Sequence, residues 1–232
     1  MTRMENEEMI NMYMEKHHLL SLFSAFDRNQ IYLHHFRKEE MIISAGDTIE
    51  EMLFLVDGKV KIFTMTDEDK RLILRFQKAL AVLGDIEFVD DDPAVSSVEA
   101  STDCIALGIS YKNIRKAIGD NPIFLQFLLK SITYKFRTKA SFTSLNVLYP
   151  VEVRFASYLL SISTDSEGSV FRDEMKNSSL ADIADMIGTS YRHLNRVIQK
   201  LCQNQVVERV NGTIHIKDFK RLREIARDNI YE

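Results

Sequence analysis

Tyr191, Arg192, Asn195 and Arg196 fall within six residues of one another and carry the strongest chemical signal in the chain. Two guanidinium forks, an amide with a donor and an acceptor, and a phenol are the groups that match base edges and phosphate oxygens. To act together they must leave one side of one element, and their spacing does that on a helix. The opposite side of such a helix carries Leu194, Val197, Ile198 and Leu201, an apolar stripe at helical period. Upstream, Leu180, Ile183, Ala184 and Ile187 form a second stripe, and Gly188 lies between the two. Glycine takes the left-handed conformation of a tight turn without a side-chain clash, and Ala184 is small enough for a close helix crossing. Thr189 or Ser190 caps the second helix. This is helix-turn-helix spacing, although a helical hairpin buried in a core would give the same stripes.

The residues that follow favour the nucleic-acid reading. Val206 and Val207 open an alternating stretch, Asn211-Gly212 is a hairpin-turn signal, and Thr213–Ile216 alternates again, which predicts a two-stranded wing. Beyond it, Lys217, Lys220, Arg221 and Arg223 are either phosphate contacts or a solvated face.

A chain of 232 residues with 45% hydrophobic content has room for two domains with real cores. Its net charge of −4 is unevenly spread: residues 1–109 carry −10, residues 110–149 carry +6, and residues 150–232 are neutral. The acidic half is not a nucleic-acid face, and any positive patch in the neutral half must be local to the second helix and the wing. No secretory signal or bilayer-length apolar run occurs, Phe124–Leu129 being interrupted by Gln126 and closed by Lys130. A cytoplasmic protein with no membrane partner is expected. Cys104 and Cys202 stand far apart without metal-ligand spacing, so a disulfide framework is not expected.

Residues 41–109 read as short strands, Met41–Ile43, Met52–Val56, Val60–Phe63, Leu72–Phe76 and Cys104–Ile109, with Gly- and Asp-rich turns between them. Close-spaced short strands indicate a barrel or sandwich. Before them, Glu7–Phe26 has helical character, with Met9, Met12, Leu19, Leu22 and Phe23 set to pack on the barrel. From Tyr111 the period becomes helical, and Asn121-Pro122 starts a helix running to about Val147. Phe124, Leu128, Ile132, Lys135, Phe136, Phe142 and Leu145 line that helix and are expected to form a homodimer seam, unless the stripe packs on its own barrel. Pro150 disfavours helix at Tyr149 and places a hinge near Leu148–Pro150. The expected domains are therefore 1–110, 111–149 and 150–232.

The order of helix, β-roll, long helix and winged helix resembles the Crp/Fnr superfamily of bacterial transcription regulators over nearly the whole chain. The residues that carry the resemblance are Ala45-Gly46-Asp47, Leu53–Val60, Leu83-Gly84-Asp85-Ile86, Ser97–Ala100, Asn121-Pro122 and Ile187–Ser190 with Arg196. The run Gly188–Leu194 is most similar to the YeiL-type branch. The resemblance implies an α+β fold: an N-terminal cyclic-nucleotide-binding-like β-roll (jelly roll), a long dimerisation helix and a C-terminal winged helix-turn-helix. It also implies a homodimer on palindromic double-stranded DNA, acting as an activator through RNA polymerase. By position, Arg196 reads a guanine, Tyr191, Arg192 and Asn195 choose neighbouring bases, and Ser179 and Ser190 lie on phosphate, with Lys200 on the same helix. Arg192 stands where the cyclic-AMP-binding members carry an acid, so the half-site should differ from theirs.

In those members a Gly-Glu pair precedes an Arg-Ser pair whose arginine neutralises the nucleotide phosphate. Here Gly84-Asp85 stands at the first place and Ala94-Val95 at the second, while Asp90, Asp91 and Asp92 add negative charge beside it. The adenine-receiving positions of the long helix fall on Lys139 and Ala140. The effector pocket is thus expected to be degenerate, with no cofactor and no cyclic AMP. An iron–sulfur cluster lacks its cysteines. His17-His18 and His34-His35 are adjacent pairs whose rings diverge, a poor arrangement for a metal. No nucleotide-hydrolase loop, HExxH or nucleophile elbow occurs, so no enzyme is expected. A regulatory module acting through protein partners remains the alternative reading.

Overall fold

The computed structural model describes residues 2–4, 6–65, 71–118, 121–163, 179–210 and 213–229. The chain divides into two compact units, Met1–Thr64 with Phe76–Arg137, and Met65–Arg75 with Thr138–Glu232. The architecture is α+β, as the sequence predicts.

The β-rich part of the chain is built on strands β1 (Thr2–Met4), β2 (Tyr32–Phe36), β3 (Met41–Ile43), β4 (Glu51–Asp57), β5 (Lys59–Met65), β6 (Arg71–Lys78), β7 (Ala81–Leu83), β8 (Ser97–Ala100) and β9 (Cys104–Ser110), all in the first unit except Met65 of β5 and residues 71–75 of β6. One sheet runs β1-β2-β9-β4-β7 and a second β3-β8-β5-β6. Strand β9 is antiparallel to both β2 and β4, with Leu107 opposite Leu33 on one side and Phe54 on the other. The apolar face of this sheet is covered by α1 (Glu7–Lys16), α3 (Tyr111–Ile118) and the start of α4 (Pro122–Leu148). Met14, Phe23, Leu33, Phe54, Leu107, Ile114, Phe124 and Leu128 form one buried cluster. Phe23 meets Phe54 edge-on with ring centroids 4.8 Å apart.

The expected helix over Glu7–Phe26 is corrected at its end. It stops at Lys16; the His17 ring bonds the Val56 carbonyl at 2.7 Å, and His18 takes a φ of 55° that turns the chain. Leu19, Leu22, Phe23 and Phe26 are buried from turns rather than from a continued helix. Strands β1, β2 and β7 are additions to the sequence reading. In β2 the paired histidines interrupt the apolar alternation, yet His34 is fully buried with Nε2 3.0 Å from a Glu51 carboxylate oxygen. Strand β7 is three residues long and lacks a pattern of its own. Asn121 starts α4 by accepting the Ile123 and Phe124 amides on its side chain. The helix ends at Leu148, next to the Pro150 that the sequence marks as its stop.

The second unit contains α5 (Val151–Ser163), α6 (Leu180–Met186), α7 (Tyr191–Gln203), the β10 (Val207–Val210) and β11 (Thr213–Ile216) hairpin, and α8 (Phe219–Ala226). The Asn211-Gly212 and Asp67–Lys70 turns lie outside the described residues. Among the described residues no helix is long and apolar enough to cross a membrane.

Candidate nucleic-acid interface

Helices α6 and α7 meet at the glycine that the sequence singles out. Gly188 has a φ of 64°, and a Cβ there would come within 3.2 Å of an Arg154 guanidinium nitrogen. That guanidinium, from α5, donates to the Ile187 carbonyl at the end of α6. A buried arginine thus fastens the turn from below, a role that composition and spacing do not reveal. Asn146 adds a bond from its side-chain amide to the Met186 carbonyl at 3.0 Å. Ile183, Ala184 and Ile187 of the first stripe and Leu194, Val197, Ile198 and Leu201 of the second are all buried.

Ser190 caps α7, with the His193 amide donating to its Oγ at 3.2 Å. The remaining free amides of the first turn and the helix dipole favour an anion at this end. Tyr191, Arg192 and Arg196 are exposed and Asn195 is half-buried, so the four predicted reading groups share one outward face. Ser179 caps α6, accepting from the Asp182 amide at 3.1 Å and donating to an Asp182 carboxylate oxygen at 2.9 Å. Lys200 is further along the same helix as the reading groups. It lies ten residues from the cap, roughly 15 Å along the helix, and is paired with Glu152 at 2.9 Å.

Strands β10 and β11 pair from Val207–Ile216 to Val210–Thr213 as the expected wing. Arg209 on β10 donates to the Asn195 side-chain oxygen at 3.4 Å, bringing a third guanidinium to the reading face. The charge run after the wing is the helix α8, with Leu222 and Ala226 buried. Lys217 pairs with Glu208 and Arg223 with Asp228.

In the first unit, Gly84 caps α2 (Asp85–Asp90) with a φ of 81°. Tyr111 donates its hydroxyl to the Gly84 carbonyl at 2.5 Å, and burial, with Glu87 and Asp85 nearby, raises its pKa and keeps that proton in place. Asp85 is buried and held on both oxygens. One carboxylate oxygen takes a bond from the Lys135 ammonium and one from the Ile86 amide, and the other takes the Ser131 hydroxyl at 2.8 Å. Lys135 also donates to the Val82 carbonyl at 2.8 Å. Ala94 is buried, its backbone bonded to Gly46 and Asp47, whereas Val95, Lys139 and Ala140 are exposed.

Two family models match this arrangement in the same order: a cyclic nucleotide-binding domain over residues 33–121 and a Crp-like helix-turn-helix domain over residues 153–225. The chain is a Crp/Fnr family regulator. Regulatory protein YeiL of Escherichia coli O157:H7 is 24% identical over 195 residues, covering 84% of this chain and 85% of that one. The cAMP-activated global transcriptional regulator CRP of Haemophilus influenzae is 27% identical over 186 residues, covering 79% and 83%. Among solved structures, the c-di-GMP-responsive global regulator of Xanthomonas campestris superposes with a TM-score of 0.72 at 17% identity, covering 82% of this chain and 95% of that one. A Crp/Fnr regulator of Eubacterium rectale also gives 0.72, at 16% identity, covering 89% and 97%. This Crp/Fnr chain is a DNA-binding transcriptional regulator.

Within the Crp/Fnr chain, α4 needs the largest correction. Phe124 and Leu128 belong to the core of their own unit, Lys135 is turned in to Asp85, and Phe142 and Leu145 are buried as well. Of the residues expected at the seam, only Phe136, 72% exposed, and the half-buried Ile132 face outward. The outward apolar face is instead Leu125, Leu129, Ile132 and Phe136, at intervals of four, three and four residues, with Lys139, Thr143 and Val147 continuing the spacing. A helix that is apolar on two sides hides this. The sequence cannot say which stripe the barrel takes, and the aromatic pairs of Phe124 with Phe26 and with Phe127 decide it.

Proposed function

We propose that this regulator binds palindromic double-stranded DNA as a homodimer, without cyclic AMP, and activates transcription through contact with RNA polymerase. The observation that carries the DNA reading is the outward face of the capped helix α7, where Tyr191, Arg192, Asn195 and Arg196 stand together at the positive end of a helix dipole. On this reading the helix lies in the major groove, Arg196 on a guanine and its neighbours on adjacent bases, with Ser190 at the phosphate. The exposed Leu125–Phe136 face supports pairing of two copies, because an apolar stripe of that length on a long helix is unstable in water.

Cyclic AMP independence rests on the degenerate cassette. The phosphate-neutralising arginine is replaced by the buried Ala94, and the Asp85 carboxylate is already engaged by Lys135, Ser131 and the Ile86 amide. A nucleotide would bring a further negative charge beside Asp90, Asp91 and Asp92, where the Arg115 guanidinium is already paired with Asp91.

The test is an electrophoretic shift on the DNA upstream of the chain's own gene at several salt concentrations. A dimer using phosphate contacts loses affinity steeply with salt. No shift at low salt, together with recovery of a protein partner, favours the alternative of a regulatory module acting through proteins. Calorimetry with cyclic AMP checks the second part: heat of binding at micromolar nucleotide overturns it. Transcription from the bound promoter with purified RNA polymerase decides between activation and repression.

A further inference from the structure

The wing and the reading helix meet at one pair of side chains, and the chemistry of that pair restricts what the helix can read. Val207 of β10 is buried, and strand alternation places Arg209 on the same face, turned toward α7, while Glu208 turns away to pair with Lys217. There the Arg209 guanidinium lies 3.4 Å from the Asn195 side-chain oxygen. A guanidinium has donors and no acceptor, so the amide must present its oxygen to Arg209 and its NH2 group elsewhere.

We infer that Arg209 sets the base that Asn195 reads, turning its oxygen to the wing and its NH2 group to the base, so that it selects a keto oxygen, guanine O6 or thymine O4, over adenine. An asparagine reads adenine by giving one hydrogen bond to N7 and accepting one from N6. Here that oxygen is turned to Arg209, which takes one of its two lone pairs and draws it away from the base. The amino groups of adenine and cytosine would also approach a cationic donor that offers them nothing to bond. Arg209 is thus a positioning residue: it acts on the readout through Asn195. The inference rests on the proposed entry of α7 into the major groove.

The test uses the full-length protein and a library of duplexes with randomised half-sites. Loss of preference at one base pair in Asn195→Ala identifies the pair that Asn195 reads. The wild type is expected to take guanine or thymine there. Arg209→Ala, a change at an exposed residue, is expected to move that pair toward adenine by about fivefold or more, the lower end of what one bidentate adenine contact contributes. Two outcomes overturn the inference alone: adenine already preferred by the wild type, or Arg209→Ala weakening all sequences alike with the preference unchanged, as a plain phosphate contact would. Absence of any sequence preference in the wild type overturns the DNA reading, and the inference with it.

Discussion

Arg196 is exposed one helical turn beyond Arg192, on a helix whose opposite stripe is fully buried, so its side chain is free to move without cost to the fold. If it reads a base, Arg196→Ala should cost roughly 1–3 kcal/mol of binding and relax one position of the site. Titration against variant duplexes checks this; equal weakening on every sequence would place it on phosphate instead. Lys135 poses the reverse case. It is buried against Asp85, so Lys135→Met removes one partner and leaves a carboxylate charge without its cation. Loss of one member of a buried pair costs about 3–5 kcal/mol, whereas replacing both by neutral groups costs far less. Chemical denaturation should therefore find Lys135→Met with Asp85→Asn more stable than Lys135→Met alone. The opposite order would mean that the ion pair contributes little to the fold. These two residues also mark how far the sequence could be read. Arg196 was legible because its surroundings are local, one helix and one turn. Lys135 was not, because its partner is fifty residues away and nothing in the period of α4 distinguishes an inward lysine from an outward one.

At the scale of elements, α4 separates what periodicity can show from what packing decides. The length of the helix, its start at Asn121-Pro122 and its stop before Pro150 follow from local chemistry. Which of its two apolar stripes stays exposed follows from the aromatic contacts that bury Phe124, and these are non-local. The wing and the turn at Gly188 were legible for the first reason, while β2 and β7 were obscured for the second. The outward stripe is where an added charge tests the seam. Leu129 is 66% exposed, so Leu129→Glu with Phe136→Glu introduces charge on the outer face and leaves the core around Phe124 and Leu128 untouched. In sedimentation the double variant should be monomeric with unchanged secondary structure. Leu128→Glu should instead unfold the first unit, because it buries a charge without a partner. A double variant that remains dimeric would exclude this face as the seam.

For the whole molecule, the consequence of pairing along α4 is geometric. A two-fold axis presents two copies of α7 to the same face of the duplex only if their separation matches one helical turn, about 34 Å, or a multiple of it. Two half-sites moved apart by about five base pairs lie on opposite faces of the DNA, out of reach of a rigid dimer; a further five base pairs return them to the same face but one turn more distant. Affinity for a synthetic palindrome should accordingly fall sharply at the half-turn insertion and reach the level of a single half-site. The Leu129→Glu, Phe136→Glu variant should be indifferent to spacing, since each copy binds alone. It should also show a shallower dependence on salt, because half as many phosphates are neutralised in each binding event. Wild-type affinity that did not change with spacing would mean that the two α7 helices are not held by a common axis. The apolar face of α4 would then have to be covered by something other than a second copy of the chain.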